Sequence, residues 1–197
     1  MKKALLLLAA VVTLMAAQAQ QKHIEPYWHG FYGVAGYDFA TNVNKTAFSD
    51  KATFHGFYAV GGWQIWKESG IGLGVEFMKD PTGAFTQLPV FVELRSHYLR
   101  SQLTPFSTVY VGYSIPLGST SGGDNAVKIN EGGVIWGVNV GARYAFNRNL
   151  SVDAYVGYMG MRLNKVGRWE NGKLSIDRPL LLQNIKAGVS INYYIKH

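Results

Sequence analysis

Hydrophobic and polar positions alternate with a period of two along most of this chain, and that period is typical of β-strands. The alternation is clearest in the C-terminal part, over residues 134–146, 150–159 and 185–196. In the last of these segments, apolar side chains occupy every second position from Ile185 to Ile195. The pattern therefore predicts an all-β protein.

Five earlier segments complete a set of eight predicted strands, although the first two carry glycine and aromatic residues on both faces, so their orientation stays open. They cover residues 27–39, 53–66, 70–78, 87–98 and 105–116. An even number of strands joined by hairpins can close into an up-and-down barrel. Closure leaves no edge with unpaired backbone groups, which a lipid environment would not tolerate. We therefore predict an eight-stranded antiparallel transmembrane β-barrel.

The predicted connections alternate between short and long. Short turns cover residues 67–69, 99–104 and 147–149, and long connections cover residues 40–52, 79–86, 117–132 and 164–181. In outer-membrane barrels the short turns face the periplasm and the long loops face outside. Aromatic residues gather near both ends of the strands, as they do at the two membrane–water interfaces. This arrangement predicts an outer-membrane location with both termini in the periplasm.

The two faces of the strands differ in a way that bears on the environment of the barrel. The less apolar face carries Gly, Ser, Asn, Tyr and isolated charges of both signs, whereas a water-facing strand is usually rich in Lys, Glu and Thr. Such a face fits the crowded interior of an eight-stranded barrel. We expect a polar network in the lumen formed by Glu76, Glu93, Arg95, His97, Arg143, Asp153 and Lys186. It is either a structural ion-pair network or a proton-responsive plug, because His titrates near neutral pH.

The first residues have the composition of a secretory signal peptide. Met1-Lys2-Lys3 is positively charged, an apolar run follows to Ala16, and Ala17-Gln18-Ala19 offers small residues for cleavage. The run is too short for a membrane-spanning helix, which needs ~20 apolar residues. We therefore predict a signal peptide over residues 1–19, a short periplasmic segment over 20–26 and the barrel domain over 27–197.

Composition and charge narrow the choice of partners. The chain has no cysteine, which excludes disulfide bonds, thiolate metal sites and a lipoprotein anchor. Its formal net charge is +7, and removal of Lys2 and Lys3 leaves +5 without the clustering expected of a nucleic-acid surface. The last predicted loop is basic and could contact lipopolysaccharide phosphates or a partner, or it is simply solvated. Its candidate contacts are Lys165, Arg168, Trp169, Lys173 and Arg178.

No catalytic, cofactor or metal site is expected from the sequence. The five histidines are scattered, and Ser96 and His97 point to opposite faces of a predicted strand. A serine hydrolase would need a serine activated by a positioned histidine. Gly70-Ile71-Gly72-Leu73-Gly74 lies within a strand pattern and is not followed by a helix, so it is not a nucleotide-binding loop.

The whole predicted barrel resembles the small eight-stranded outer-membrane barrels, the OmpA/OmpX/OmpW-like group and its Bacteroidota relatives. The resemblance rests on Gly30-Phe31-Tyr32-Gly33, on the glycine-rich stretch at residues 70–74, and on residues 88–95 followed by Pro105. It implies an integral protein of the Gram-negative cell envelope, inserted by the outer-membrane assembly machinery.

The predicted function is therefore that of a monomeric outer-membrane barrel with a structural, surface-binding or porin-like small-solute role. Its partners would be outer-membrane lipid and lipopolysaccharide. The lumen is too narrow for a general diffusion porin, which needs ~16 strands. Two alternatives remain open. One is a secreted soluble barrel that binds an apolar ligand, as lipocalins do, and the other is a lipid-modifying outer-membrane enzyme.

Overall fold

The regular structure of the described residues is built from β-strands. The computed structural model describes residues 30–44, 53–81, 86–99, 101–118, 127–170 and 173–196. The strands are β1 (Gly30–Asn42), β2 (Thr53–Gln64), β3 (Ser69–Lys79), β4 (Thr86–His97), β5 (Leu103–Gly118), β6 (Val127–Glu131), β7 (Gly133–Ala145), β8 (Leu150–Glu170) and β9 (Lys173–Lys196). Within these ranges no helix is long and apolar enough to cross a membrane. The predicted signal peptide and periplasmic segment, together with residues 27–29 of the predicted first strand, lie outside the described residues.

Eight of these strands form a closed antiparallel ring in the order β1-β2-β3-β4-β5-β7-β8-β9. The ring closes where β9 pairs with β1, from Gly30 opposite Lys196 to Asn42 opposite Asn184. The predicted all-β, eight-stranded antiparallel barrel is thereby confirmed. Strand β6 lies outside the ring and pairs with the far part of β8.

Exposed and buried side chains alternate along each barrel strand, with the apolar set outside and the mixed set inside. The orientation that the sequence left open for β1 is set by buried Tyr32 and Asp38, while Phe31 and Phe39 are exposed. Every second residue therefore points into the lumen. The lumen, rather than a space between layers, is the core of the protein.

The outward side chains form an apolar band around the barrel. On β9 it runs from Ile185 to Ile195, whose side chains are 52% and 54% exposed. A strand of this length spans roughly 33 Å, or about 25 Å along the barrel axis at the usual tilt of about 40°. That height matches the apolar band of membrane barrels. Large aromatic residues are exposed near its ends, among them Phe57, Trp63, Trp66, Phe77, Tyr98, Trp136 and Tyr144.

Short hairpins close one end of the barrel at the places that the sequence predicted. The Ile65 amide donates to the Ser69 carbonyl at 3.0 Å, and the Phe146 amide donates to the Leu150 carbonyl at the same distance. The Asn147 Oδ1 atom accepts from the Asn149 amide at 2.8 Å, as in an Asx turn, and also from the Leu150 amide at 2.8 Å. We call this end the turn side and the opposite end the loop side.

At the loop side, β8 and β9 continue beyond the ring as a paired ribbon, which corrects the prediction of a loop over residues 164–181. The β8–β9 ribbon (residues 163–170 and 173–180) begins with Leu163 opposite Leu180 and extends to Glu170 opposite Lys173. Strand β6 adds to its other side, so the predicted connection over residues 117–132 also contains a strand. Strand pairing satisfies backbone groups that a loop would leave to water.

Candidate functional site

Four charged side chains meet inside the turn-side half of the lumen. We call Glu93, Arg95, Arg143 and Asp153 the turn-side cluster. Arg95 Nε lies 2.9 Å from Glu93 Oε1, and Arg95 Nη1 lies 2.6 Å from Asp153 Oδ2. Arg143 Nε contacts the other oxygen of Asp153 at 3.1 Å. Two carboxylates thus face two guanidinium groups, and the cluster is electrically neutral.

Neutral groups complete the shell around the two arginines. Arg95 Nη1 also donates to Asn192 Oδ1 at 2.9 Å. The guanidinium carbon of Arg95 lies 5.4 Å from the centroid of the Phe106 ring, and that of Arg143 lies 4.8 Å from the centroid of Tyr194. Buried charges are tolerated when they are paired and hydrogen-bonded in this way. The contacts join β4, β5, β7, β8 and β9 across the lumen.

A second ionic group lies near the middle of the barrel. In this central cluster, Lys186 Nζ lies 2.8 Å from Asp38 Oδ2 and 3.0 Å from Glu76 Oε2. The Tyr155 hydroxyl donates to Asp38 Oδ2 at 3.0 Å. Asp38, Glu76 and Lys186 are only 1%, 1% and 4% exposed. The cluster ties β1, β3, β8 and β9 together, and it contains two acids for one base.

Aromatic rings fill the space around the central cluster. Lys186 Nζ lies 5.8 Å from the centroid of the Tyr58 ring and 5.6 Å from that of Tyr110. Inward glycines make room for these rings. The Tyr58 ring lies where a side chain at Gly36 would begin, and the Tyr110 ring lies where a side chain at Gly137 would begin. The high glycine content thus has a packing reason inside the lumen.

The space left between the two clusters is small. A cavity of about 20 Å³, bordered by Glu76, Glu93, Arg95, Tyr110 and Lys186, is room for about one water molecule. Toward the loop side, large apolar side chains are buried beside the polar Asn42, Gln87, Ser114 and Asn184. The apolar side chains include Phe54, Met78, Ile135, Met159, Met161, Leu163 and Leu182. Side chains therefore fill the lumen, and the cavity is too small for any solute larger than water.

The seven residues predicted for the lumen network are all buried inside the barrel. Six of them, Glu76, Glu93, Arg95, Arg143, Asp153 and Lys186, take part in the ion pairs of the two clusters. The seventh, His97, is packed at the turn side with its ring centroid 6.2 Å from that of Phe106. Whether the network has a function beyond structure stays a hypothesis.

Sequence reasoning missed Asp38, which supplies the second acid of the central cluster. It was missed because β1 carries small and aromatic residues on both faces, so its inward face could not be assigned. Its even spacing from Tyr32 and Val34 identifies its face only once the burial of those two residues is known. Asn192 and the tyrosines of the lumen were missed because the predicted network was chosen from charged and titratable residues. Neutral polar side chains do not signal an ion-pair network in the sequence.

The predicted surface contacts Lys165, Arg168, Trp169, Lys173 and Arg178 belong to the β8–β9 ribbon rather than to a loop. Their backbone pairs across the ribbon, with Trp169 opposite Leu174. The positions of their side chains lie outside what the structure describes. In the described part of the chain, no three His, Asp or Glu side chains are grouped as a metal site would require.

Comparison with known proteins agrees with this architecture. No protein-family model matches the chain, and no curated sequence does. Among solved structures, the fold is that of small eight-stranded outer-membrane β-barrels. Neisserial surface protein A is similar with a TM-score of 0.62 and 15% identity, over 84% of this chain and 97% of that chain. OprG from Pseudomonas aeruginosa is similar with a TM-score of 0.56 and 12% identity, over 87% and 100%. At such identities the likeness shows the fold alone.

Proposed function

We propose that this protein is an integral outer-membrane barrel that acts as a closed anchor and presents the β8–β9 ribbon at the cell surface. The observation that carries the proposal is the combination of an apolar outer band with a lumen filled by ion pairs and rings. The band supports insertion in lipid, and the filled lumen supports a role other than transport.

The distribution of polarity favours the membrane over the soluble alternative. A soluble barrel for an apolar ligand would need an apolar cavity and a water-compatible exterior. Here Leu73, Val111 and Ile191 are 63%, 57% and 57% exposed on the outside, while the interior holds the charged clusters. Exposed apolar surface on this scale is unusual for a soluble monomer. The cavity between the two clusters, with a volume of about 20 Å³, is also far too small for an apolar ligand.

The contacts that cross the lumen argue against a small-solute channel. Arg95 on β4 reaches Asp153 on β8, and Lys186 on β9 reaches Glu76 on β3. A solute could pass only if these buried pairs separated, which would leave unpaired charges in a medium of low polarity. A closed lumen leaves the surface as the place for function, since binding residues concentrate on segments held by a rigid scaffold.

The orientation follows from the asymmetry of the two ends. Short turns would face the periplasm, and the longer ribbon would face outside. The basic residues Lys165, Arg168, Lys173 and Arg178 would then meet the phosphate groups of lipopolysaccharide. Of the two similar structures, one is a surface protein and the other an outer-membrane protein, which supports a role without catalysis for this chain.

Gel migration of the membrane fraction, boiled and unboiled, tests insertion as a closed barrel. We expect outer-membrane fractionation and faster migration without boiling, because a closed barrel resists detergent. Recovery in the soluble periplasmic fraction with no shift would contradict the proposal and favour the soluble barrel.

Planar-bilayer recording of the purified protein then tests whether the lumen is closed. We expect no steady unitary conductance, and a reproducible conductance from the wild-type chain would replace the anchor role with a channel role.

A further inference from the structure

The central cluster is the one place in the described lumen where acids and bases do not balance. It joins the carboxyl groups of Asp38 and Glu76 to the ammonium group of Lys186. With both carboxyl groups ionised its net charge would be −1. The turn-side cluster offers no compensation, because its two acids already face its two arginines. A buried net charge is costly unless something neutralises it.

The two carboxyl groups use only one oxygen each. Asp38 Oδ2 accepts from Lys186 and Tyr155, and Glu76 Oε2 accepts from Lys186. The remaining oxygens, Asp38 Oδ1 and Glu76 Oε1, are buried and have no hydrogen-bond partner among the described residues. Both of them lie over Gly56, at the position where a side chain on that residue would begin. Two free carboxyl oxygens therefore share one small space.

Two ionised oxygens in that space would repel each other, which is the situation in which one of two neighbouring carboxyl groups stays protonated. A proton on either oxygen would remove the excess negative charge and form an O–H···O hydrogen bond to the other. Hydrogen bonds of this charge-assisted type are short and strong.

We propose that the central cluster is a proton-binding site in which Asp38 and Glu76 hold one proton between Oδ1 and Oε1 at neutral pH. The proton comes from water and makes the cluster of two carboxyl groups and one ammonium group neutral. Glycine at position 56 is part of the site, because any side chain there would occupy the place of the two oxygens.

The groups that face the site from other strands do not remove the need for this proton. They are Tyr58 on β2, Glu93 and Arg95 on β4, Tyr110 on β5, Asn139 on β7 and Tyr155 on β8. Arg95 is held by the acids of the turn-side cluster, and the others carry no positive charge. In the unfolded chain both acids would be ionised at neutral pH. The folded protein thus binds one more proton, so its stability falls as the pH rises and the proton is released.

Infrared spectroscopy of the full chain in a detergent without ester groups tests the proposal directly. A protonated carboxyl group has a carbonyl band separate from the bands of carboxylates. We expect this band in the wild-type protein at pH 7, a small shift of it in heavy water, and its loss at alkaline pH. A wild-type spectrum at pH 7 without the band overturns the proposal, whatever the variants do.

Three conservative variants locate the proton. D38N and E76Q keep the shape of the side chains and leave Lys186 one carboxylate partner, so each should abolish the band while retaining the heat-dependent gel shift. The double variant E93Q/R95Q is the matched control, because it removes an equally buried acid together with its base and leaves the neutral Arg143–Asp153 pair. It should keep the band while it retains the heat-dependent gel shift. A band that survives in both D38N and E76Q, or that disappears in a folded E93Q/R95Q, would place the proton elsewhere and overturn the assignment.

Discussion

At the scale of single residues, the packing of the lumen depends on the positions that glycine occupies. Gly56 and Gly61 lie on the same strand but on opposite faces. A side chain at Gly56 would collide with the carboxyl groups of Asp38 and Glu76, whereas nothing lies within 4 Å of the place where one at Gly61 would begin. The two glycines therefore have different roles, and substitution separates them.

Gly56→Ala should lower the free energy of unfolding by about 1–3 kcal/mol, because an added methyl group in a tightly packed interior forces its neighbours to shift. Gly61→Ala is the matched control and should leave stability unchanged. Urea-induced loss of the heat-dependent gel shift measures both variants. Equal stability of the two would mean that the carboxyl groups move aside at no cost.

Asp153 holds two guanidinium groups, so its loss should be more costly than the loss of one contact suggests. Asp153→Ala removes the ion pair with Arg143 Nε and one of the two ion pairs of Arg95. We expect a destabilisation of about 3–5 kcal/mol, as for other broken buried pairs. The double variant D153A/R143M should recover part of it, whereas R148A, at an exposed turn position, should have no effect. A double variant as unstable as D153A would point to lost packing instead of unpaired charge.

The inward position of the charged residues could be predicted from the sequence, but their pairing could not. Alternation alone sets Glu93 and Arg95 on one face, because side chains on a strand change sides at every residue. That Arg95 reaches Asp153, 58 positions away in the chain, depends on the stagger of the strands around the ring. No local pattern encodes that stagger. The inward position of Asp38 could not be predicted either, because the two faces of its strand do not differ in polarity.

At the scale of strands, the β8–β9 ribbon is the element that sequence reasoning misjudged. Its basic residues suggested a solvated loop. The dipeptide Asn171-Gly172, placed between Glu170 and Lys173, is a strong hairpin signal that should have outweighed them. Leu174 and Ile176 also alternate with Ser175 and Asp177. The barrel strands themselves were predicted to within a few residues, because one of their faces is uniformly apolar.

The ribbon should be separable from the barrel. Replacing residues 165–178 by Asn-Gly keeps the pairing up to Leu163 opposite Leu180, so the heat-dependent gel shift should remain. Binding to purified lipopolysaccharide, measured by co-sedimentation, should decrease strongly.

A milder variant in which Lys165, Arg168, Lys173 and Arg178 become glutamine serves as the companion. It should lose binding as much as the deletion if charge is the cause. Unchanged binding in both variants would exclude the ribbon as the contact surface.

At the scale of the whole molecule, polarity is inverted relative to a soluble protein, with apolar side chains outside and charges inside. This inversion makes the cost of a surface charge depend on depth. Val111 lies outward in the middle of β5, while Ser107 lies outward nearer the turn side of the same strand. These two outward positions on one strand therefore lie at different depths in the membrane.

Val111→Arg should destabilise the protein in lipid vesicles by about 2–4 kcal/mol, whereas Ser107→Arg should cost about 0–1 kcal/mol, as expected for midplane and interface positions. Equilibrium unfolding by guanidinium, followed by tryptophan fluorescence, measures both. Equal costs at the two positions would mean that this face of the barrel is not in hydrocarbon.

The seam between β1 and β9 also constrains the route by which the protein can reach its final state. Gly30 opposite Lys196 and Asn42 opposite Asn184 join the two ends of the described chain. Until that seam forms, both outer edges of every partial sheet carry backbone groups that lipid cannot satisfy. Stepwise entry of single hairpins would therefore leave backbone amides in the bilayer without hydrogen-bond partners. Insertion and closure should instead occur as one concerted event, after the last strand has been delivered.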